Sequence, residues 1–243
     1  MARGLAVTKT TASAKRFYKS ASVAPHEGRF AILLDLKPAK TAGRNVLSAP
    51  SERIAIEIAK EWQEQDEHLD RTSMPLSNML AAAIDGGGNG SVESVDEVLK
   101  YLATDLICYR ADTPEALKKR QALMWDPYIE FMQTEFGVQI RTTDSVTAIQ
   151  QRDDTFNKIR SVLRGEIPEV LFAMRIATGI AGSAILALSL WKRAFNSNEI
   201  FEASRVDERY QEERWGIDND AHEREEHLRR EFLVASKFMA LLQ

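Results

Sequence analysis

Residues 47–65 read LSAPSERIAIEIAKEWQEQ, and the chain changes period inside them. Upstream, apolar residues recur at every second position. In Arg29–Leu36, Phe30, Ile32, Leu34 and Leu36 share one face, and Ala31, Leu33 and Asp35 take the other. That is the spacing of a half-buried strand. Downstream of Pro50, Ile54, Ile58 and Trp62 recur at helical spacing with Ala55 and Ala59 beside them. Ser51 stands where an N-cap belongs. The period stays helical to the end of the chain. The expected fold is therefore α+β: a small β-rich domain over 1–50 and a larger all-α domain over 51–243.

Working outward, Lys15–Ala24 reads as a first strand, Pro25–Gly28 as a turn, and Asn45–Leu47 as a short third strand. Helices are expected over Met74–Asp85 and, capped by Ser91, through Val95, Val98, Leu99 and Leu102. Thr113-Pro114 starts another, stopped by Gly137, with Pro127 breaking or kinking it. Asp144 is placed to cap a helix over roughly 145–164. Pro168 opens an apolar helix. Ser197 is placed to cap a charged helix reaching Arg214, Trp215-Gly216 to break it, and a last helix runs from about Asp220 to Leu242.

Composition narrows the function classes. A chain of 243 residues with 44% hydrophobic and 28% charged residues builds a core without staples. The single cysteine, Cys108, excludes an internal disulfide and a Cys-rich zinc site. It suits a reducing compartment. The net charge of −4 carries no basic surplus for nucleic acid. Between residues 1 and 20 stand Arg3, Lys9, Lys15, Arg16 and Lys19 and no acid. That bias fits a mitochondrial transit peptide, or more plainly a frayed start leading into a strand. Val170–Trp191 is about long enough to span a bilayer. Arg175 inside it would cost roughly 2.5 kcal/mol or more near the bilayer centre. A buried central helix is the better reading.

Few motifs suggest chemistry. The segment from Asp85 to Gly90 lacks the Lys-Ser/Thr of a phosphate loop. As a calcium loop it has Asp85, Asn89, Ser91, Glu93 and Asp96 at suitable positions, but Gly87 leaves the third position bare. A calcium-responsive protein-binding module using 85–96 is the alternative function. Cys108 lies among apolar neighbours and reads as a buried small hydrophobe. His222 and His227 are five apart, not at a metal-ligand spacing. Trp62, Trp125 and Trp191 sit on helix stripes and read as core, whereas Trp215 sits among charges. From Glu199 to Glu231 acids outnumber bases in an interleaved pattern. That reads as a solvated, salt-bridged surface, or as a protein-binding face seeking a basic partner. No catalytic triad, cofactor motif or metal set emerges, and the residues alone describe a helical protein binder.

A set of ordered motifs adds to this: Arg16-Phe17-Tyr18-Lys19; Leu34-Asp35-x-Lys37-Pro38; Glu61-Trp62-Gln63-x-Gln65; Met74-Pro75-Leu76; Thr104 through Arg110; Trp125-Asp126-Pro127; Asp207-Glu208-x-Tyr210-Gln211; Trp215-Gly216; and Asp220-Ala221-His222. Together they resemble the ATP12-type assembly chaperones of the F-type ATP synthase alpha subunit, over about Arg16 to Leu233. The resemblance implies a non-enzymatic protein without cofactor or metal. It would bind the unassembled alpha subunit, prevent its aggregation and release it to the beta subunit. The residues themselves, with no basic surplus, no nucleotide motif and Arg175 inside the apolar run, lead to the expectation of no nucleic-acid, nucleotide or membrane partner. The resemblance also implies the cytoplasm of an alphaproteobacterium, or alternatively a mitochondrial matrix. The Gly-rich 86–90 loop departs from the family pattern. The client-facing residues are expected in the C-terminal helical region: Glu199, Asp207, Glu208, Gln211, Trp215 and Asp220. Their carboxylates would meet basic client groups, and Trp215 would anchor an apolar contact.

Overall fold

A computed structural model describes residues 14–87, 90–145, 147–216 and 218–243. The N-terminal basic residues Arg3 and Lys9, and Asn89 of the calcium reading, lie outside them. The chain is α+β, with a small antiparallel sheet near its start and helices after it.

β1 (Ala21–His26) and β2 (Arg29–Leu34) form a hairpin with Ala21 opposite Leu34 and His26 opposite Arg29. β3 (Lys37–Pro38) and β4 (Ser48–Ala49) both pair with β2. Ala31 and Ile32, on opposite faces of β2, are both buried. β2 is thus covered on both sides, and the clean alternation expected of it is lost. It also ends early. Asp35 and Leu36 have φ of 47° and 66°, and Leu36 is 82% exposed rather than inward. Asp35 makes that turn worthwhile: its carboxylate accepts from the Lys19 and Ser20 amides at 2.9 and 3.0 Å. Those bonds hold its pKa below the usual range. Lys15 is not in β1; it forms an isolated bridge with His68.

α1 (Glu52–Gln63) buries Ile54, Ala55, Ile58, Ala59 and Trp62, the stripe expected of it, against β1 and β2. Each large side chain so buried contributes roughly 1.5–3 kcal/mol. Ser51 is at the N-cap but makes no side-chain capping bond. α2 (Pro75–Asp85) follows. Glu61 of α1 accepts from the Leu76 and Ser77 amides, both at 2.8 Å, and so satisfies first-turn donors that α2 cannot pair itself.

Two compact units result. The first holds the described residues up to Gly90 with Lys237–Gln243, and the second is Ser91–Ser236. The division falls at Gly90, not at Pro50 where the period changes, because α1 covers the sheet and stays with it.

α3 (Gly90–Ala103) begins one residue before Ser91, and all of it from Ser91 on belongs to the second unit. α4 (Glu115–Phe136) ends at Gly137, whose φ of 60° is the left-handed cap expected there. It runs through Pro127 without a break. Proline removes the bond to the carbonyl of Leu123, and Leu123 is 78% exposed, so the missing bond lies on the solvent side of the helix. α5 (Asp153–Leu163) starts nine residues after Asp144. Gln151 explains the delay: its amide accepts from the Arg141 N–H at 2.9 Å and donates to the Arg141 carbonyl at 2.8 Å, holding the preceding segment non-helical. Asp144 pairs with Lys118 instead.

The apolar run is two helices, α6 (Pro168–Ala181) and α7 (Ala184–Trp191). Gly182 takes φ 65° between them, and the Ser183 hydroxyl caps α7 by accepting from Leu186. All eight residues of α7 are buried. Arg175 is part-exposed, with Glu97 at 3.6 Å. Among the described residues no helix is long and apolar enough to cross a membrane.

Candidate functional site

The expected charged helix from Ser197 to Arg214 is broken in two: α8 (Ser197–Ala203) and α9 (Val206–Trp215). Asn196, not Ser197, is the N-cap, its side chain accepting from Asn198 at 2.9 Å. The break at Ser204 lets Arg205 turn inward to the Ile180 carbonyl while pairing with Glu208 at 3.2 Å. Along α9 only Val206 and Tyr210 are buried. Gly216, at φ 89°, ends it. α10 (Asn219–Leu242) then runs to the end of the chain.

Arg209 gathers carboxylates from three helices: Glu202 of α8 at 3.3 Å, Glu212 of α9 at 2.9 Å, and both oxygens of Glu225 of α10. Arg229 joins Glu202 from α10. Burial opposes the charge on Arg209, but its carboxylates outweigh that and raise its pKa further. Burial likewise opposes ionisation of Glu202, yet Arg229 and Arg209 hold its pKa below the usual glutamate value. The sign follows: the stabilisation from Glu202 is present above the ordinary glutamate range and is lost as pH falls through its depressed folded value. Arg209→Ala would leave Glu225, only 8% exposed, without this partner. We expect a loss of about 2 kcal/mol in urea denaturation, below the ~3–5 kcal/mol of a fully buried pair because Arg209 reaches solvent.

The six residues expected to face a client fall into two groups. Glu208, Gln211 and Trp215 stand at i, i+3 and i+7 on α9, all exposed, with Trp215 at 77%. That spacing aligns them on one helix face. Glu199, in the first turn of α8, and Asp220, in the first turn of α10, are also exposed. Asp207 differs: it is half-buried and accepts from the Gln121 amide of α4 at 2.7 Å. Two neighbours went unseen in the sequence. Gln121 is one. The other is Arg120, whose guanidinium makes two bonds to the Glu213 carboxylate, both 2.8 Å. Separations of 86 and 93 residues leave no local signal for either pairing.

Other singled-out groups serve structure. Trp62, Trp125 and Trp191 are buried. Burial pushes the Cys108 thiol up, Asp105 adds to this, and the Gln151 amide lies 3.6 Å from its sulfur, so it is no thiolate nucleophile. The calcium reading fails on its ligands. Asp85 is engaged by Thr41, the Gly43 amide and Asn45. Asp96 pairs with Arg160, and Ser91, Glu93 and Asp96 are helical residues of α3. No group of three or more His, Cys, Asp or Glu converges as a metal set among the described residues. An open polar cavity of about 580 Å³ between α4 and α5 is lined by Gln133, Gly137, Gln139, Arg152, Asp154 and Lys158. Its charges are already used: Arg152 pairs with Asp154 at 2.9 Å and Lys158 donates to the Gly137 carbonyl at 3.2 Å. The prominent feature of the α8–α10 region is thus a surface with one large exposed aromatic among carboxylates, suited to binding a protein.

Similarity to known proteins identifies the family. A family model described as ATP12 chaperone protein matches residues 15–133. The chain is similar to the mitochondrial protein atp12 of Schizosaccharomyces pombe, 26% identical over 223 residues that cover 87% of this chain and 77% of the relative. It also superposes on two solved structures of Atp12 from Paracoccus denitrificans. One is of an aspartate-to-lysine variant, with a TM-score of 0.91, 33% identity and coverage of 95% of this chain and 98% of that one. The other has the same TM-score and identity and covers 99% of the relative. With that identity maintained over nearly the whole of both chains, the chain belongs to the ATP12 chaperone family.

Proposed function

We propose that this protein is an assembly chaperone of the F-type ATP synthase that holds the unassembled alpha subunit of the catalytic head and yields it to the beta subunit. The role is non-enzymatic: the protein covers a surface and performs no chemistry. The observation that carries the reading is Trp215, 77% exposed at the end of α9 with Glu208 and Gln211 on the same face. A large exposed aromatic with Glu208 and Gln211 on the same helix face suits a partner with basic and apolar groups. Subunits that share large interfaces aggregate when alone. A chaperone for one of them must cover such a patch and remain displaceable. Displacement here is by competition: the beta subunit binds the same patch more tightly and shifts the equilibrium.

The test dilutes purified alpha subunit from denaturant with and without the protein and follows light scattering. The beta subunit, diluted in the same way, is the control. Selective protection of alpha, relieved by added beta, is the expected result. Equal failure to protect either subunit would sink the proposal. Within that assay, Glu199→Lys and Trp215→Ala are expected to weaken protection, by about tenfold for the tryptophan, as a loss of about 1–2 kcal/mol at a contact residue implies. Their melting temperatures should stay close to that of the parent, since both side chains are exposed.

A further inference from the structure

The last turn of α9 has almost nothing beneath it. Past Tyr210, residues Gln211, Glu213, Arg214 and Trp215 are exposed and Glu212 is only half-buried. Two of the contacts of this turn stay inside α9: Glu212 with Arg209, and Arg214 over the Tyr210 ring at 4.8 Å. Among the described residues, the tie recorded from another helix to side chains of 211–215 is the two-bond pairing of Arg120 with Glu213. Arg120 is itself oriented. Its guanidinium lies over the Tyr210 ring at 5.4 Å, on a helix that Gln121 pins to Asp207 one residue further along. A planar guanidinium bonded through two nitrogens to both carboxylate oxygens fixes direction as well as distance. Glu213 is two residues from Trp215, so fixing one fixes the turn that carries the other.

We propose that Arg120 is the positioning residue of the client-binding surface: it clamps Glu213 so that the last turn of α9 stays wound and presents Trp215 in a single orientation. The inference rests on the proposed role of Trp215. It adds that α4 sets the affinity of a contact it does not make. An exposed aromatic that is pre-oriented loses less freedom on binding than one on a frayed turn. An exposed ion pair adds little to global stability, so the effect on binding should be separable from folding.

The experiment labels the protein with 5-fluorotryptophan and records one fluorine resonance for each of the four tryptophans, that of Trp215 being assigned by Trp215→Phe. Arg120→Ala should shift and narrow the Trp215 resonance and leave those of the buried Trp62, Trp125 and Trp191 in place. It should also raise the concentration that half-protects denaturant-diluted alpha subunit by about five-fold, within the range by which residues outside a contact modulate it. The exchanged pair, Arg120→Glu with Glu213→Arg, should restore both readouts, which a merely structural loss would not. Glu213→Gln tests the clamp from the other side should the exchanged pair fold poorly. An unmoved Trp215 resonance, or full protection by Arg120→Ala while Trp215→Ala loses it, overturns the positioning role and leaves the proposed function standing. Full protection by Trp215→Ala overturns both the contact role of Trp215 and the positioning role of Arg120, while the chaperone activity itself stands.

Discussion

Trp125→Ala is expected to destabilise the second unit by about 3–5 kcal/mol, the range for removing a fully buried large aromatic. Trp125 is 0% exposed and sits mid-way along α4. Its indole N–H donates to the Ala203 carbonyl at 2.7 Å, at the end of α8 where no further helical amide remains to satisfy that oxygen. Arg110 covers the ring at 5.1 Å and reaches Asp126 at 2.9 Å. Alanine therefore leaves a cavity, an unpaired carbonyl and an arginine without its platform. Trp125→Phe keeps most of the volume and loses the hydrogen bond, so it should cost about 1–3 kcal/mol. Urea denaturation followed by circular dichroism measures both. A loss below about 1 kcal/mol for the alanine variant would show that α4 and α8 do not depend on this contact.

Asp105 should impose an opposite pH dependence from that of the surface carboxylates. It is fully buried and accepts from the Ile107 amide at 3.3 Å and the Ile185 amide at 3.0 Å, capping both the 3₁₀ turn Leu106–Cys108 and the start of α7. Burial raises its pKa to about 6, and the bonds from Ser183 and the backbone amides only partly offset this. Because the folded value lies above the ordinary aspartate value, its contribution is fully present below about pH 4 and is lost as pH rises through about 6. A shift of about two units corresponds to about 3 kcal/mol. The stability difference between the parent and Asp105→Asn should therefore change by about that amount, in favour of the variant, between pH 4 and pH 7. Taking the difference cancels Asp35 and Glu202, whose lowered pKa values act in the other direction. A pH-independent difference would mean that Asp105 titrates normally and that its hydrogen bonds balance its burial.

These two residues mark where sequence reading stops. Periodicity identifies α1 outright, because Ile54, Ile58 and Trp62 face a single sheet and the pattern needs only one partner. It places the ends of α4 at Pro114 and Gly137, since backbone constraints at proline and glycine are local. It fails where several partners decide. The run Val170–Trp191 is apolar on every side, so no face reveals that Gly182 turns the chain and that Ser183 and Asp105 together cap α7. Charge pattern alone makes 197–214 one helix, whereas Arg205 gains a carbonyl on α6 by breaking it. Gln151 delays α5 through a pairing with Arg141 that no propensity records.

The α+β class and the helix break beside Trp215 are legible from spacing and composition, because each depends on residues close together in the chain; the family is legible only through a resemblance carried by motifs ordered along nearly its whole length. Which carboxylates are free was not. Glu202, Glu212 and Glu225 look like Glu199 and Asp220 in the sequence, yet Arg209 occupies the first three and the last two are exposed. Asp207 and Glu208 are neighbours in the chain, but the helix turns one toward Gln121 and the other to solvent. A charge acquires its role from the partner that folding brings within about 3 Å, and here that partner is Gln121 of α4 for Asp207, 86 residues away, and Arg209 of α9 for Glu202 of α8 and Glu225 of α10.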